Sequence, residues 1–364
     1  MVRFTASPQP ETIWTFFAAL SMDAIALPVP DGATTMLAHS YASAADEPST
    51  ESTRLRLLTS GSTGTPKVVD LSVRQLTASA EASRARLGCG PDDVWLCCMP
   101  LHHIAGLSIL TRTGSAGATV HLMPGFDAAA VSHAIDEDGI TMMSLVPTML
   151  RRLLDQRGDR PFPATLRVIL LGGAPATEAL LDRCRSIEAP VALTWGMTET
   201  ASQIATREPG DLRCAPDAGL PLPGHRVFEE NGRLGVEGPI APGGRFLTAD
   251  FGHLDTAGRV IVEGRGDALI ISGGENVDPS HVERILRTHP SVDEAVVIGM
   301  PDHEWGERVC AILTGQQSTL HSAWLNTELE PHERPRQIMW LDALPVSPLG
   351  KVQQAELKAL LAED

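Results

Sequence analysis

The sequence predicts an α/β protein: a large layered N-terminal α/β domain with a small β subdomain, then a last stretch where helix and strand signals return. Three observations carry this. From residue 55, short apolar runs alternate with helical patterns. From about residue 210, Gly and Pro become frequent and short β runs take over. No apolar run approaches the ~20 residues of a membrane span, and helix–strand alternation of this kind implies a largely parallel sheet.

Residues 1–50 are weakly patterned: Thr12 to Leu20 suits a short helix and Ala42 to Ser52 a loop. Val94–Cys98, Ala118–Met123, Thr141–Val146, Arg167–Leu171 and Val191–Thr194 are expected as buried strands. Between them, Ser72–Leu87 is expected as a helix opened by a capping box, Ser72 with Gln75. Asp127–Glu137, Pro147–Gln156 and Ala176–Ser186 are expected as further helices. In the β-rich stretch the strand signals are Arg233–Glu237, Gly244–Thr248 and Arg259–Glu263. Beyond it, Asp278-Pro279 starts a helix, with Asp as N-cap and Pro at the first helical position. Val292–Ile298 and Glu307–Leu313 suit strands, and Gln353–Leu361 a final helix.

The chain has 364 residues, 43% apolar and 20% charged, which fits a soluble globular protein with room for two domains. No basic region leads into an apolar core at the N-terminus, so no signal peptide is expected. Six scattered cysteines (Cys89, Cys97, Cys98, Cys184, Cys214, Cys310) show no metal-ligand spacing, and a reduced, cytoplasmic chain is the simpler expectation. The formal charge of −16 argues against nucleic acid and anionic membranes as partners. The oligomeric state is left open, with a homodimer admitted.

The segment Leu58-Thr59-Ser60-Gly61-Ser62-Thr63-Gly64-Thr65-Pro66-Lys67 follows the apolar residues Leu55 and Leu57. Its glycines let backbone N–H groups come close to a phosphate, its hydroxyls donate, and Lys67 adds a point charge. The spacing is not that of a Walker A loop, and an ordinary Ser/Gly surface loop fits the same residues. The chain has only three lysines, Lys67, Lys351 and Lys358.

This loop resembles the phosphate-binding loop of the acyl-adenylate-forming (AMP-binding) superfamily, and further motifs of that family follow in its order. They are Pro100-Leu101-His102-His103-Ile104-Ala105-Gly106, Gly172-Gly173-Ala174-Pro175, Trp195-Gly196-Met197-Thr198-Glu199-Thr200, Thr248-Ala249-Asp250, Gly264-Arg265-Gly266-Asp267, Ser272-Gly273-Gly274-Glu275-Asn276-Val277 and Gly350-Lys351. The resemblance implies an N-terminal domain over residues 1–266, whose β subdomain spans about 210–266. It also implies a small mobile α+β C-terminal domain over 267–364, hinged at Asp267. The chain is short for the family, with the shortfall mainly before the phosphate loop.

The resemblance also implies roles. ATP would be held by Thr59, Ser60, Gly61, Ser62, Thr63, Gly64 and Lys67, with Gly172, Gly173, Ala174, Pro175, Trp195, Gly196 and Met197 around adenine. Asp250 would accept from the ribose hydroxyls and Arg265 would face ribose and phosphate. Glu199 would ligate Mg²⁺, Thr198 would donate to phosphate, and Lys351 would bridge the carboxylate and the α-phosphate. Gly273 and Gly274 would line the tunnel for the CoA co-substrate. His103 would shape the acyl pocket; a packed, hydrogen-bonded histidine is the alternative there.

The string from Gly196 to Gln203 is similar to that of the o-succinylbenzoate–CoA ligases of menaquinone synthesis, whose substrate carries two carboxylates. Arg112 occupies a position where that branch has an arginine, and a guanidinium suits a carboxylate. Ser144 and Gln203 could line the same recess, while a surface or core-edge arginine remains the alternative for Arg112. The resemblance thus implies an ATP-dependent acid–CoA ligase acting through an acyl adenylate. Another acyl- or aryl-CoA ligase, a stand-alone adenylating enzyme, and a catalytically silent nucleotide-binding protein are the rivals.

Overall fold

The computed structural model describes residues 2–5, 9–21, 24–29, 53–60, 66–213, 217–265, 269–317, 322–346 and 352–363. Gly61, Ser62, Thr63, Gly64, Cys214, Asp267, Lys351 and the loop expected over 42–52 lie outside these residues, as do the side chains of Ser60 and Arg265.

The weakly patterned start contributes strands β1 (Val2–Thr5) and β2 (Ala26–Val29) on either side of helix α1 (Pro10–Ser21). They join β3 (Thr53–Ser60) and β4 (Pro66–Ser72) in a four-stranded sheet of order β1-β2-β3-β4. β3 and β4 are antiparallel, with Thr59 opposite Lys67 and Ser60 opposite Pro66. The strands on either side of residues 61–65 therefore pair with each other as a hairpin. Arg56, fully buried, braces the hairpin through Nε to Asp70 Oδ1 at 2.6 Å and Nη2 to Asp70 Oδ2 at 2.7 Å.

Helix α2 (Val73–Leu87) follows β4 with no intervening loop. Its capping box is formed as the sequence indicates: Ser72 Oγ accepts from Gln75 N–H, and Gln75 Oε1 accepts from Ser72 N–H. Gly88, at φ 65°, closes its C-terminus in the left-handed conformation that glycine adopts without strain.

The central sheet has seven strands in the order β11-β10-β9-β8-β7-β5-β6. These are β5 (Val94–Cys97), β6 (Thr119–Leu122), β7 (Met142–Leu145), β8 (Val168–Leu171), β9 (Val191–Met197), β10 (Ser202–Thr206) and β11 (Leu220–Pro221). Neighbours from β6 to β9 are parallel; β10 and β11 add on antiparallel. Helices α3 (Ile104–Ala116), α4 (Ala128–Glu137), α5 (Pro147–Arg157) and α6 (Glu178–Ser186) are interleaved with the strands. All four residues of β7 and of β8 are buried, as expected of parallel strands covered on both faces. β9 runs three residues past its expected end, carrying Trp195, Gly196 and Met197 into the sheet. α3 was not legible, because its apolar run contains Gly106 and Gly114 and its cap, His103, makes no side-chain capping bond.

Strands β12 (Arg226–Glu230), β13 (Arg233–Glu237), β14 (Arg245–Leu254) and β15 (Val260–Arg265) form a four-stranded sheet in that order. The β-rich region thus starts later than about 210, since residues 202–206 and 220–221 belong to the large sheet.

The chain folds into two compact units: residues 1–230, 235–247 and 254–261 make the first, and residues 231–234, 248–253 and 262–364 the second. In the second unit, β16 (Ile270–Ser272), β17 (Glu275–Val277), β18 (Val292–Asp302), β19 (Gly306–Gly315) and β20 (Gln337–Trp340) form one five-stranded sheet. Helices α7 (Pro279–Leu286), α8 (Ser322–Glu328) and α9 (Gln354–Glu363) complete the unit. Period-two alternation splits β18 and β19 between two cores. Val297, Val309, Ala311 and Leu313 pack with Val282, Leu286 and Leu325; Val296, Ile298, Cys310 and Ile312 pack with Leu357 and Leu361. Asp278 caps α7 as read from the sequence, accepting from Ser280 N–H at 2.9 Å. No helix among the described residues is long and apolar enough to cross a membrane.

One buried ion cluster pins the far end of β10. Arg207, fully buried, donates from Nη2 to Asp217 Oδ2 at 3.1 Å and from Nε to the Asp217 carbonyl at 2.9 Å. Arg213 Nη2 reaches Asp217 Oδ1 at 2.9 Å, and Gly219 N–H donates to the same oxygen at 2.9 Å. Removing one member strands a buried charge, so Asp217→Ala is expected to cost about 3–5 kcal/mol, read as a lowered urea midpoint. A loss under about 1 kcal/mol would mean that the cluster is dispensable.

Candidate active site

In the first unit the site grows from one tight reversal. β9 leaves the parallel sheet at Met197, the chain makes a single 3-10 turn (Thr198–Thr200), and β10 returns antiparallel with Met197 opposite Ser202 and Gly196 opposite Gln203. The reversal holds two non-glycine residues at positive φ, Ala201 (54°) and Ser202 (103°). It also brings the Ser202 carbonyl oxygen onto Gly196 so closely that a Cβ at residue 196 would overlap it. Thr200 Oγ1 donates to the Met197 carbonyl at 3.2 Å and closes the turn.

This turn presents Glu199 to the hairpin. Lys67 Nζ lies 3.1 Å from Glu199 Oε1, joining residues 132 apart in the chain. Lys67 is 61% exposed and Glu199 23%, so the pair adds at most about 1 kcal/mol of stability. Its meaning is placement: a cation and a carboxylate stand side by side at the base of the Ser/Gly loop. Thr59 Oγ1 donates to the Lys67 carbonyl at 3.3 Å across the hairpin. Among the described residues no group of three or more His, Cys, Asp and Glu side chains is gathered to hold a metal ion. Glu199 Oε2 makes no hydrogen bond among them. A lone carboxylate of this kind fits Mg²⁺, which keeps several waters and takes its other oxygens from phosphate.

Gly172 and Gly173 follow β8, and a Cβ on Gly172 would come within 2.7 Å of Thr194 Cγ2 on β9. Ala174 and Pro175 are exposed. Trp195 is buried, whereas Gly196 beside it is open to solvent.

Next to the turn lies a second polar group. Arg112, on α3, is 1% exposed and donates from Nη2 to Ser202 Oγ at 2.9 Å. Its guanidinium carbon sits 5.5 Å from the Trp95 ring centroid, its Nε has no hydrogen-bond partner, and it pairs with no carboxylate among the described residues. Burial pushes Arg112 down to about 9, since the charge has lost water without gaining a counter-ion. Trp95 Nε1 donates to Ser144 Oγ at 3.2 Å, so Ser144 joins the group through the indole. Gln203 is engaged elsewhere: its Oε1 accepts from Ser83 Oγ at 2.6 Å and its Nε2 donates to Thr206 Oγ1 at 2.8 Å. Ser202, which sequence reasoning did not single out, is the one beside Arg112. His102 and His103 lie at the entrance to α3 with ring centroids 4.2 Å apart, and burial lowers the His102 pKa.

In the second unit, Asp250 on β14 is 7% exposed. Thr248 Oγ1 accepts from Asp250 N–H at 3.1 Å and donates to the Leu234 carbonyl at 2.6 Å, fixing the Thr-Ala-Asp backbone. Arg265 ends β15. Gly273 and Gly274 make the turn between β16 and β17 at φ 63° and 86°, with the Trp305 ring 3.0 Å from where a Cβ of residue 273 would lie.

The reversal is testable by sterics alone. Gly196→Ala should push Ser202 away from Arg112 and destabilise the protein by about 1–3 kcal/mol in chemical denaturation. An unchanged unfolding midpoint would show that the two strands can separate freely.

Comparison with known proteins bears on this geometry. The sequence profile of the AMP-binding enzyme family matches residues 36–249, and that of the AMP-binding enzyme C-terminal domain matches residues 281–351. A 2-succinylbenzoate–CoA ligase from Bacillus cereus is 36% identical over 353 residues, covering 88% of this chain and 73% of the relative. The structure of o-succinylbenzoate CoA synthetase (MenE) from Bacillus subtilis with its acyl-adenylate intermediate aligns over 98% of this chain and 87% of that one. Its TM-score is 0.81 and its identity 30%. The same enzyme with ATP and magnesium ion aligns with a TM-score of 0.76 at 30% identity, over 98% of this chain and 83% of that one. The chain therefore belongs to the AMP-binding enzyme family and is an adenylate-forming acid–thiol ligase.

Proposed function

We propose that this enzyme joins o-succinylbenzoate to CoA at the expense of ATP, giving o-succinylbenzoyl-CoA, AMP and pyrophosphate in menaquinone biosynthesis. The observation that carries the choice of acid is Arg112: a buried guanidinium with no carboxylate partner among the described residues. An uncompensated buried charge is costly. A substrate with a second carboxylate would supply the missing counter-ion, with the Ser202 hydroxyl already in place on the same guanidinium. The names of the relatives, which are ligases for this acid, support the same reading.

In the first half-reaction, an oxygen of the substrate's other carboxylate attacks the α-phosphorus of ATP. The new O–P bond forms as the bond to pyrophosphate breaks. The hairpin tip and Lys67 hold the outer phosphates, Thr198 donates to phosphate, and Glu199 holds the metal side of the nucleotide. Mg²⁺, when bound, neutralises the charge that grows on the phosphate oxygens. Asp250 and Arg265 hold the ribose side, and Gly172 to Pro175 with Trp195 to Met197 border the base. Lys351 acts mainly in the transition state, between the carboxylate and the α-phosphate. In the second half-reaction, the CoA sulfur attacks the acyl carbonyl and AMP leaves. Residues from 267 onward turn about Asp267 to bring the Gly273-Gly274 loop to the pantetheine arm. The five cysteines described are all unpaired with one another, in keeping with a cytoplasmic enzyme.

Two outcomes test this. Lys351→Ala should abolish adenylation, followed as pyrophosphate exchange, yet spare thioester formation from supplied acyl adenylate; equal loss in both halves sinks its assignment. Arg112→Met should lower kcat/KM for o-succinylbenzoate by about 1.5–3 kcal/mol, roughly tenfold to over a hundredfold, and leave benzoate nearly unchanged. It should also raise stability without ligand by about 1 kcal/mol or more, because an uncompensated charge is replaced by an apolar side chain. A variant that loses both acids equally and unfolds more easily would make Arg112 structural.

A further inference from the structure

Helix α2 carries a polar stripe that the reaction does not use directly. Gln75, Ser79 and Ser83 are four residues apart, on one face of the helix, and are 8%, 2% and 1% exposed. Each bonds an alternate residue of the 199–203 segment. Gln75 Nε2 donates to the Glu199 carbonyl at 3.3 Å, Ser79 Oγ to the Ala201 carbonyl at 2.7 Å, and Ser83 Oγ to Gln203 Oε1 at 2.6 Å. Four helical residues advance about 6 Å, so the stripe touches in turn Glu199 in the 3-10 turn, the left-handed Ala201 and Gln203 at the start of β10.

The stripe also has a fixed origin. Gln75 Nε2 donates a second bond to the Ile240 carbonyl at 3.1 Å, while its Oε1 accepts from both Ser72 N–H and Ser72 Oγ. Every hydrogen-bonding site of this one amide is therefore engaged. Ser72 is the last residue of β4, the strand that carries Lys67. The chain from the phosphate hairpin to the strained turn is continuous: β4, the capping box, the stripe, then residues 199, 201 and 203.

We propose that Gln75, Ser79 and Ser83 are positioning residues that set the register of the 199–203 turn against the phosphate hairpin. Gln75 serves the nucleotide end through Glu199. Ser83 serves the acid end, where Gln203 adjoins Ser202 and its hydrogen bond from Arg112. Positive φ at Ala201 and Ser202 survives only where surrounding bonds over-determine it, and the stripe supplies those bonds. The inference rests on the assignment of Glu199 to the metal side of the nucleotide.

The test is calorimetric and needs no turnover. Affinity for ATP is measured without acid, in excess Mg²⁺ and in chelator, and the ratio gives the metal's advantage; affinity for o-succinylbenzoate is measured separately. Gln75→Met should cut the metal's advantage roughly tenfold with little change in acid affinity. Ser83→Ala should weaken the acid several-fold and keep the metal's advantage. Ser132→Ala, which removes a buried serine bonded to Arg157 at 3.0 Å, is the control for stability loss and should move neither ratio. If Gln75→Met and Ser83→Ala move both ratios alike, or move neither while losing stability as Ser132→Ala does, the stripe is only structural and the proposal falls. Glu199→Gln separates the two levels. If it keeps the metal's advantage, the assignment of Glu199 fails and takes the proposal with it; if it loses the advantage while Gln75→Met does not, the stripe alone is wrong.

Discussion

The close passage of the Ser202 carbonyl over Gly196 is the constraint on which the first unit's chemistry depends. It lets β10 return antiparallel on a sheet whose other central strands are parallel, and it makes the intervening turn too short to relax. Glu199 and Ser202 project from that one turn, the first onto Lys67 and the second onto Arg112. Lys67 and Arg112 are thus linked through a few residues of one turn. The positive φ values at Ala201 and Ser202 cost roughly 1–3 kcal/mol each. The bonds from helix α2 and the packing of β9 hold them in place.

Electrostatics explain which side chains were left without a conventional partner. A chain of formal charge −16 must attract a polyanionic nucleotide and an acid. Several buried or bracing arginines are spent on carboxylates: Arg56 on Asp70, Arg157 on Asp136, Arg207 on Asp217. Lys67 meets its carboxylate only at a mostly exposed pair that a phosphate and a metal can divide between them. Arg112 has hydroxyl and indole neighbours and no carboxylate among the described residues, an arrangement that stability alone would not favour. On the proposed roles, local placement of these two cations would offset a global field of the wrong sign.

Much of the scaffold was legible because its signals are local. The Ser72–Gln75 capping box, the Asp278-Pro279 helix start and the apolar runs of β7 and β8 each declare themselves within a few residues. What was not legible is decided at long range. β3 reads as an apolar run and the start of β4 as part of the loop after it, since only tertiary pairing joins the two as a hairpin. α3 hides its amphipathic face behind internal glycines and an apolar mean composition. Lys67, Glu199 and Arg112 stand out by motif and charge, but Ser202 does not, because its place beside Arg112 follows from a turn whose length the sequence does not display. Gln75 was readable as a cap and unreadable as a bridge: its second pair of bonds reaches residues 124 and 165 positions away.

The central claim is that a buried guanidinium with no carboxylate partner among the described residues selects an acid with two carboxylates for ligation to CoA. It is tested most directly by following ATP- and CoA-dependent AMP release across o-succinylbenzoate, benzoate, acetate and octanoate at equal concentration. The account predicts turnover with o-succinylbenzoate well above that with every monocarboxylate. Equal or faster AMP release with benzoate or octanoate would contradict it.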